Sequence, residues 1–178
     1  MERFTKQSGF TLIELMISIV VLAVLLGLAA PSFVELVRNN RIQTSADQFF
    51  TSLILARSEA LKRNQPVVMC KSTDGENCTT ANDWARGWLT YADEDADGVL
   101  DSGEPIINAQ QGLSGGYTLR TKGSTFTHKL TYRQDGSASG FDTFVLCDAK
   151  GDTTSAKEVV INIVGRPRMT KTTDDCSP

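Results

Sequence analysis

The feature that most constrains this chain is a run of 21 residues, Phe10 to Ala30, that is apolar almost throughout. As a helix it would be about 31 Å long, the thickness of a bilayer core. Arg3 and Lys6 precede it, so the positive-inside rule keeps the N-terminus cytoplasmic and sends everything after the run to the far side. A secretory signal cleaved near Ala29-Ala30 is the competing reading, but no small-x-small site flanked by polar residues follows cleanly. Glu14 lies five residues into the run. A carboxylate in hydrocarbon costs at least about 2.5 kcal/mol and usually has a partner. It must either reach the interface or meet a cation from another chain. Pro31, with Gly27 before it, marks a place where the helix can kink or open.

Beyond the run, Ile42, Ala46, Phe49, Leu53, Ala56 and Ala60 recur at steps of three and four. Phe50, Ile54 and Leu61 widen that stripe. The spacing predicts an amphipathic continuation of the helix, ended by Asn64-Gln65-Pro66. A helix from Phe10 to Asn64 would span about 80 Å.

After Pro66 the pattern changes to short β-rich runs at 66–71, 87–92, 105–110, 117–121, 129–134, 141–149 and 158–165, separated by turn residues. Gly112 to Gly116 reads as a loop. The predicted class is α+β, one long helix packed on an antiparallel β-sheet head. The expected divisions are 1–9, 10–31 (membrane-spanning), 32–65 (amphipathic) and 66–178 (head).

The formal charge of −3 makes any nucleic-acid site a local basic patch working against the overall field. Cys70, Cys78, Cys147 and Cys176 show no zinc spacing. An even count beside a membrane segment points to two disulfides in an oxidising compartment. Three connectivities are possible, and the local one, Cys70–Cys78 with Cys147–Cys176, is the expectation.

The stretch "SGFTLIELMISI" resembles the class III leader of type IV pilins and pseudopilins. The resemblance implies prepilin peptidase cleavage between Gly9 and Phe10, leaving 1–9 as leader, and N-methylation of Phe10. It also implies that Glu14 neutralises the N-terminus of a neighbouring subunit as a filament assembles. The expected location is the bacterial inner membrane, single-pass with the head in the periplasm, and then a pilus or pseudopilus. The head resembles the FimT, FimU and GspH group of minor pilins and pseudopilins through Gly87-Trp88, the acidic loop, "TYRQDGSAS" and the ending "VGRPR".

The acidic loop "DEDADGVLDSGE" fits the calcium template D-x-D-x-D-G-x5-E, with Asp93, Asp95, Asp97, Gly98 and Glu104 in place and Asp101 at the ninth position. Its flanks read as strands rather than the helices of an EF-hand, so an acidic hairpin connection is the preferred reading and calcium the alternative. No other metal or cofactor is expected.

In "GRPRMTK", residues two apart in an extended chain share a face, so Arg166 and Arg168 project together. Pro167 suits a strand edge or end. Lys171 adds a third cation, although alternation alone turns it the other way. Two guanidiniums and an ammonium could clamp phosphate. The competing reading is a solvated strand end whose arginines pair with Asp174 or Asp175. The sequence Gly165-Arg166-Pro167-Arg168 is similar to the G-R-x-R signature by which FimT-type minor pilins hold DNA in natural transformation. FimU-type and GspH-type relatives carry similar residues without a DNA role.

Nothing points to catalysis. His128 is the sole histidine, and Ser8, Ser137 and Ser139 lack a nucleophile-elbow context. Trp84, Trp88 and Tyr91 read as core and strand packing. The expectation is a filament subunit with other pilins and prepilin peptidase as partners, and DNA as cargo. The alternatives are a type II secretion pseudopilin and a minor pilin with a purely structural role.

Overall fold

The computed structural model describes residues 9–81, 83–172 and 176; the side chains of residues 28–31 are outside the description. The leader residues 1–8 therefore lie outside the described residues, as do Asp174 and Asp175, and at Pro31 only the helical backbone is described. The chain divides between Asn40 and Arg41 into two units.

Helix α1 runs from Leu12 to Arg63, starting two residues later than the sequence predicts. The reason is a capping box. The Thr11 hydroxyl accepts the Glu14 N–H at 3.3 Å, and Glu14 Oε2 accepts the Thr11 N–H at 3.1 Å. At the other end Asn64 takes φ +54°, the left-handed conformation that stops a helix, and Pro66 follows shortly. In the first unit, the large apolar side chains from Phe10 to Leu26 are each more than half exposed. This part of α1 is long and apolar enough to cross a membrane.

The second unit carries the head. Strands β1 (Val67–Lys71), β2 (Gly87–Ala92), β3 (Ile106–Gln111), β4 (Thr118–Thr121), β5 (Lys129–Tyr132), β6 (Asp142–Cys147), β7 (Lys157–Ile161) and β8 (Pro167–Lys171) follow α1, with a short 3-10 turn at Trp84–Arg86. They form two antiparallel sheets, ordered β3-β2-β1-β5 and β4-β6-β7-β8. Ile42, Ala46, Phe49, Leu53, Ala56 and Ala60 are all buried and share one core with residues of both sheets. Ile54 and Leu61 do not widen this stripe; both are about half exposed, at 47% and 49%.

Phe49 is central to that core. Its ring meets Trp88 edge-on at 5.1 Å and Phe144 at 4.8 Å. Trp84 Nε1 donates to the Phe126 carbonyl at 3.1 Å, which satisfies its one polar atom. Strand β1 is buried on both faces. Val67 and Met69 face the main core, while Val68 and Cys70 join Leu89, Tyr91 and Leu100 in a second cluster. This explains its continuous apolar reading. Disulfides join Cys70 to Cys78 and Cys147 to Cys176.

The main departure from the sequence reading is at the C-terminal end. The run 158–165 is not one strand. It breaks after Ile161 into a turn, and a separate edge strand, β8, starts at Pro167. Asn162 drives the break: its carbonyl accepts the Gly165 N–H at 2.8 Å and its Oδ1 accepts the Arg166 N–H at 3.1 Å. Pro167, with no N–H to give, opens the edge strand.

Candidate functional site

The β7–β8 turn is built on three supports. Gly165 has φ +77°, and a Cβ there would lie 2.1 Å from the Gly136 carbonyl oxygen, so only glycine fits. The Ala138 N–H donates to the Ile163 carbonyl at 3.1 Å, tying the turn to the segment after β5. Arg57 of α1 donates from Nε to the Gly136 carbonyl at 2.8 Å and from its guanidinium to the Val164 carbonyl at 3.4 Å. One arginine thus clips both turns to the helix. "TYRQDGSAS" and "VGRPR" are distant in sequence but form one locus.

On this support Arg166 and Arg168 are both exposed, with the buried Pro167 between them. Neither side chain has an ion-pair or hydrogen-bond partner among the described residues. Lys171 is exposed too, but it shares the parity of Met169, which packs against the core, and so is opposite Arg168 along β8. The structure keeps the two arginines on one side of the edge strand and sets Lys171 apart from them. In register Lys171 faces Lys157, a second ammonium. Beside the turn, Phe50, Ile54, Arg57, Ser58, Leu61, Arg166 and Pro167 line a groove of about 340 Å³. Ile163 and Val164, in the turn itself, are about 60% exposed, at 61% and 62%.

At the N-terminus, Gly9 and Phe10 are exposed and precede α1. Among the described residues only Oε2 of Glu14 accepts hydrogen bonds, from the Thr11 N–H and from the Thr11 hydroxyl at 3.0 Å. The capping role was legible as T-x-x-E before an apolar run, beside the interface and the cation of another chain that the sequence offers Glu14.

The acidic segment joins β2 and β3, which are antiparallel neighbours. A register shift at Thr90/Tyr91 leads into it. It brings together Asp93, Asp95 and Asp97, each offering a carboxylate oxygen within 4.8 Å of the others. Asp101 and Glu104 are not part of that group. Glu104 instead closes the loop, accepting the Glu94 N–H at 2.8 Å and the Asp101 N–H at 3.0 Å. Gly98, at φ +74°, turns its N–H onto Asp93 Oδ2 at 3.0 Å. Burial pushes the Asp93 carboxyl above the usual range, against the Gly98 hydrogen bond, and the Glu104, Asp95 and Asp97 carboxylates push the same way.

His128 is exposed, and the Ser137 hydroxyl donates to Asp135. Trp84 and Trp88 are core, and Tyr91 is buried in the second cluster.

Comparison with known proteins follows these lines. Residues 45–165 match the family of type II transport protein GspH, and residues 4–30 match the prokaryotic N-terminal methylation motif. The pilin-like protein PilA1 of Thermus thermophilus is 30% identical over 166 residues, covering 90% of this chain and 97% of that protein. The type IV minor pilin FimU of Pseudomonas aeruginosa (strain PAO1) shares the fold at a TM-score of 0.60 and 23% identity, covering 78% of this chain and 96% of the other. The minor pseudopilin EpsH of the type 2 secretion system of Vibrio cholerae does so at 0.55 and 16%, covering 75% and 99%. An N-terminal methylation motif followed by a head of this topology leaves one conclusion: the chain belongs to the GspH family and is a minor pilin or pseudopilin.

Proposed function

We propose that this subunit is cut between Gly9 and Phe10, methylated on the new Phe10 amine, and drawn from the bacterial inner membrane into a pilus, where its periplasmic head presents Arg166 and Arg168 to DNA for uptake. Its role is structural and adhesive rather than catalytic. Glu14 serves assembly. Its carboxylate suits the positive amine of a neighbouring subunit, and a mismatched neighbour would leave both charges unpaired in an apolar bundle.

The observation that carries the DNA reading is the pair of guanidiniums, without a partner among the described residues, where β8 leaves a turn held by Gly165, Asn162 and Arg57. A preorganised pair of arginines recognises phosphate at low entropic cost. The contacts would be to backbone, indifferent to sequence and sensitive to salt. The test is fluorescence anisotropy of labelled duplex DNA with the full chain in neutral detergent. The parent should bind with a log–log salt slope of about −2, for two phosphates neutralised. Combined Arg166→Ala and Arg168→Ala should weaken binding about tenfold or more and flatten that slope, with the thermal midpoint unchanged. Equal binding by parent and variant would refute DNA capture at this turn.

One observation favours a second reading. Ile163 and Val164, exposed in the same turn, and the adjacent groove suit a protein partner better than a polyanion. In that case the chain would serve a type II secretion pseudopilus and the turn would meet another pseudopilin or secreted protein. A minor pilin that only primes assembly would use the same helix and leave the turn without cargo.

A further inference from the structure

We infer that the β2–β3 loop is a calcium site, in which Asp93, Asp95 and Asp97 hold the ion. Three carboxylates converge within 4.8 Å, but acidic turns do that without a ligand, so the inference rests on what lies beneath them. Asp93 is 1% exposed, and its Oδ1 has no hydrogen-bond partner among the described residues. Its other oxygen is taken by the Gly98 N–H. The Tyr91 hydroxyl is also buried, on a residue that is 0% exposed, and has no hydrogen-bond partner among the described residues. A buried carboxylate oxygen left unpaired costs more than a neutral group would. A cation at the three aspartates would relieve the unpaired oxygen and the mutual repulsion together.

The donor set selects the ion. All three donors are carboxylate oxygens, with no nitrogen or thiolate, which excludes the preferences of zinc and copper. Two of the ligands, Asp93 and Asp97, line a cleft of about 530 Å³ together with Gly98, Lys129, Arg133 and Asp135 among others. An oxygen-only site with an entry path suits calcium better than magnesium, which demands near-ideal octahedral geometry. One cation is already at the rim: Lys129 Nζ donates to the Gly98 carbonyl at 2.6 Å. It offsets one of the six carboxylates carried by residues 93–104, so the loop remains strongly negative. Glu104 holds the loop closed through two backbone amides and acts as a positioning residue.

The test is calorimetric titration of the chelator-stripped full chain in detergent with calcium chloride, followed by thermal unfolding. One ion per chain should bind with Kd on the order of 0.1–1 mM, the range of extracellular modules, and raise the unfolding midpoint. Asp95→Asn and Asp97→Asn, both at exposed positions, should each weaken binding about tenfold or more by removing a ligand charge. Magnesium should bind more weakly in the parent. Absence of heat and of any midpoint shift at about 10 mM calcium, above the range of known modules, would overturn the assignment. So would undiminished binding in both variants, or magnesium binding as tight as calcium.

Discussion

Phe49→Ala should destabilise the head by about 3–5 kcal/mol, the range for removing a fully buried phenylalanine. Phe49 is 0% exposed, and its ring lies within 6.1 Å of Trp84, 5.1 Å of Trp88 and 4.8 Å of Phe144. It therefore joins α1 to β2 in one sheet and to β6 in the other. Neither sheet can move in to fill the gap, because each is fixed by its own ladder and Trp84 is further held by its bond to the Phe126 carbonyl. The lost burial and the cavity then add rather than offset. A domain of this size is stable by only about 5–15 kcal/mol in total, so the variant should be close to unfolding at growth temperature. Thermal unfolding of the full chain in detergent, followed by near-ultraviolet dichroism of the two tryptophans, measures this. A loss below about 1 kcal/mol would mean that the core closes around the gap, contrary to the packing described.

Gly165→Ala should be nearly as damaging, at roughly 3 kcal/mol, for a different reason. An L-residue at φ +77° costs about 1–2 kcal/mol by itself. The added methyl would also meet the Gly136 carbonyl oxygen at 2.1 Å. That oxygen is the acceptor for Arg57 Nε, so relief of the clash must lengthen the 2.8 Å bond that clips the turn to α1. The expected result is a lower unfolding midpoint together with weaker DNA binding, since Arg166 and Arg168 lose their fixed base. The Arg166→Ala, Arg168→Ala variant should lose binding with its midpoint intact. A Gly165→Ala protein that melts like the parent would show that the turn is not held where Arg57 and Gly136 place it.

The helix was legible because burial follows a period of 3.6, and the stripe from Ile42 to Ala60 is the stripe that packs. The seven β runs were legible from alternation and turn residues, but their division into two sheets was not. Pairing of β1 with β5, or β4 with β6, is long-range, and no local signal records which strands meet. The eighth strand was hidden because Asn162 stands within an apolar run that reads as continuous. The Asn162 and Gly165 pair was nevertheless a turn signal. At the basic turn, the exposure of Arg166 and Arg168 followed from period-two spacing. The contribution of Arg57 could not, since it is an isolated helical arginine whose partners lie 79 and 107 residues away. The calcium template was readable in full, yet the fold unites only its first three aspartates, because Glu104 is spent on the backbone of its own loop.

Whether the cargo is DNA is decided most directly in a deletion strain complemented with the parent gene or the Arg166→Ala, Arg168→Ala form, scored for transformation, piliation and type II secretion together. The parent should restore transformation. The double variant should leave it near the level of the deletion while reaching the filament fraction in normal amount and supporting normal secretion. Loss of secretion with normal DNA uptake in the deletion strain would contradict this and place the subunit in a secretion pseudopilus.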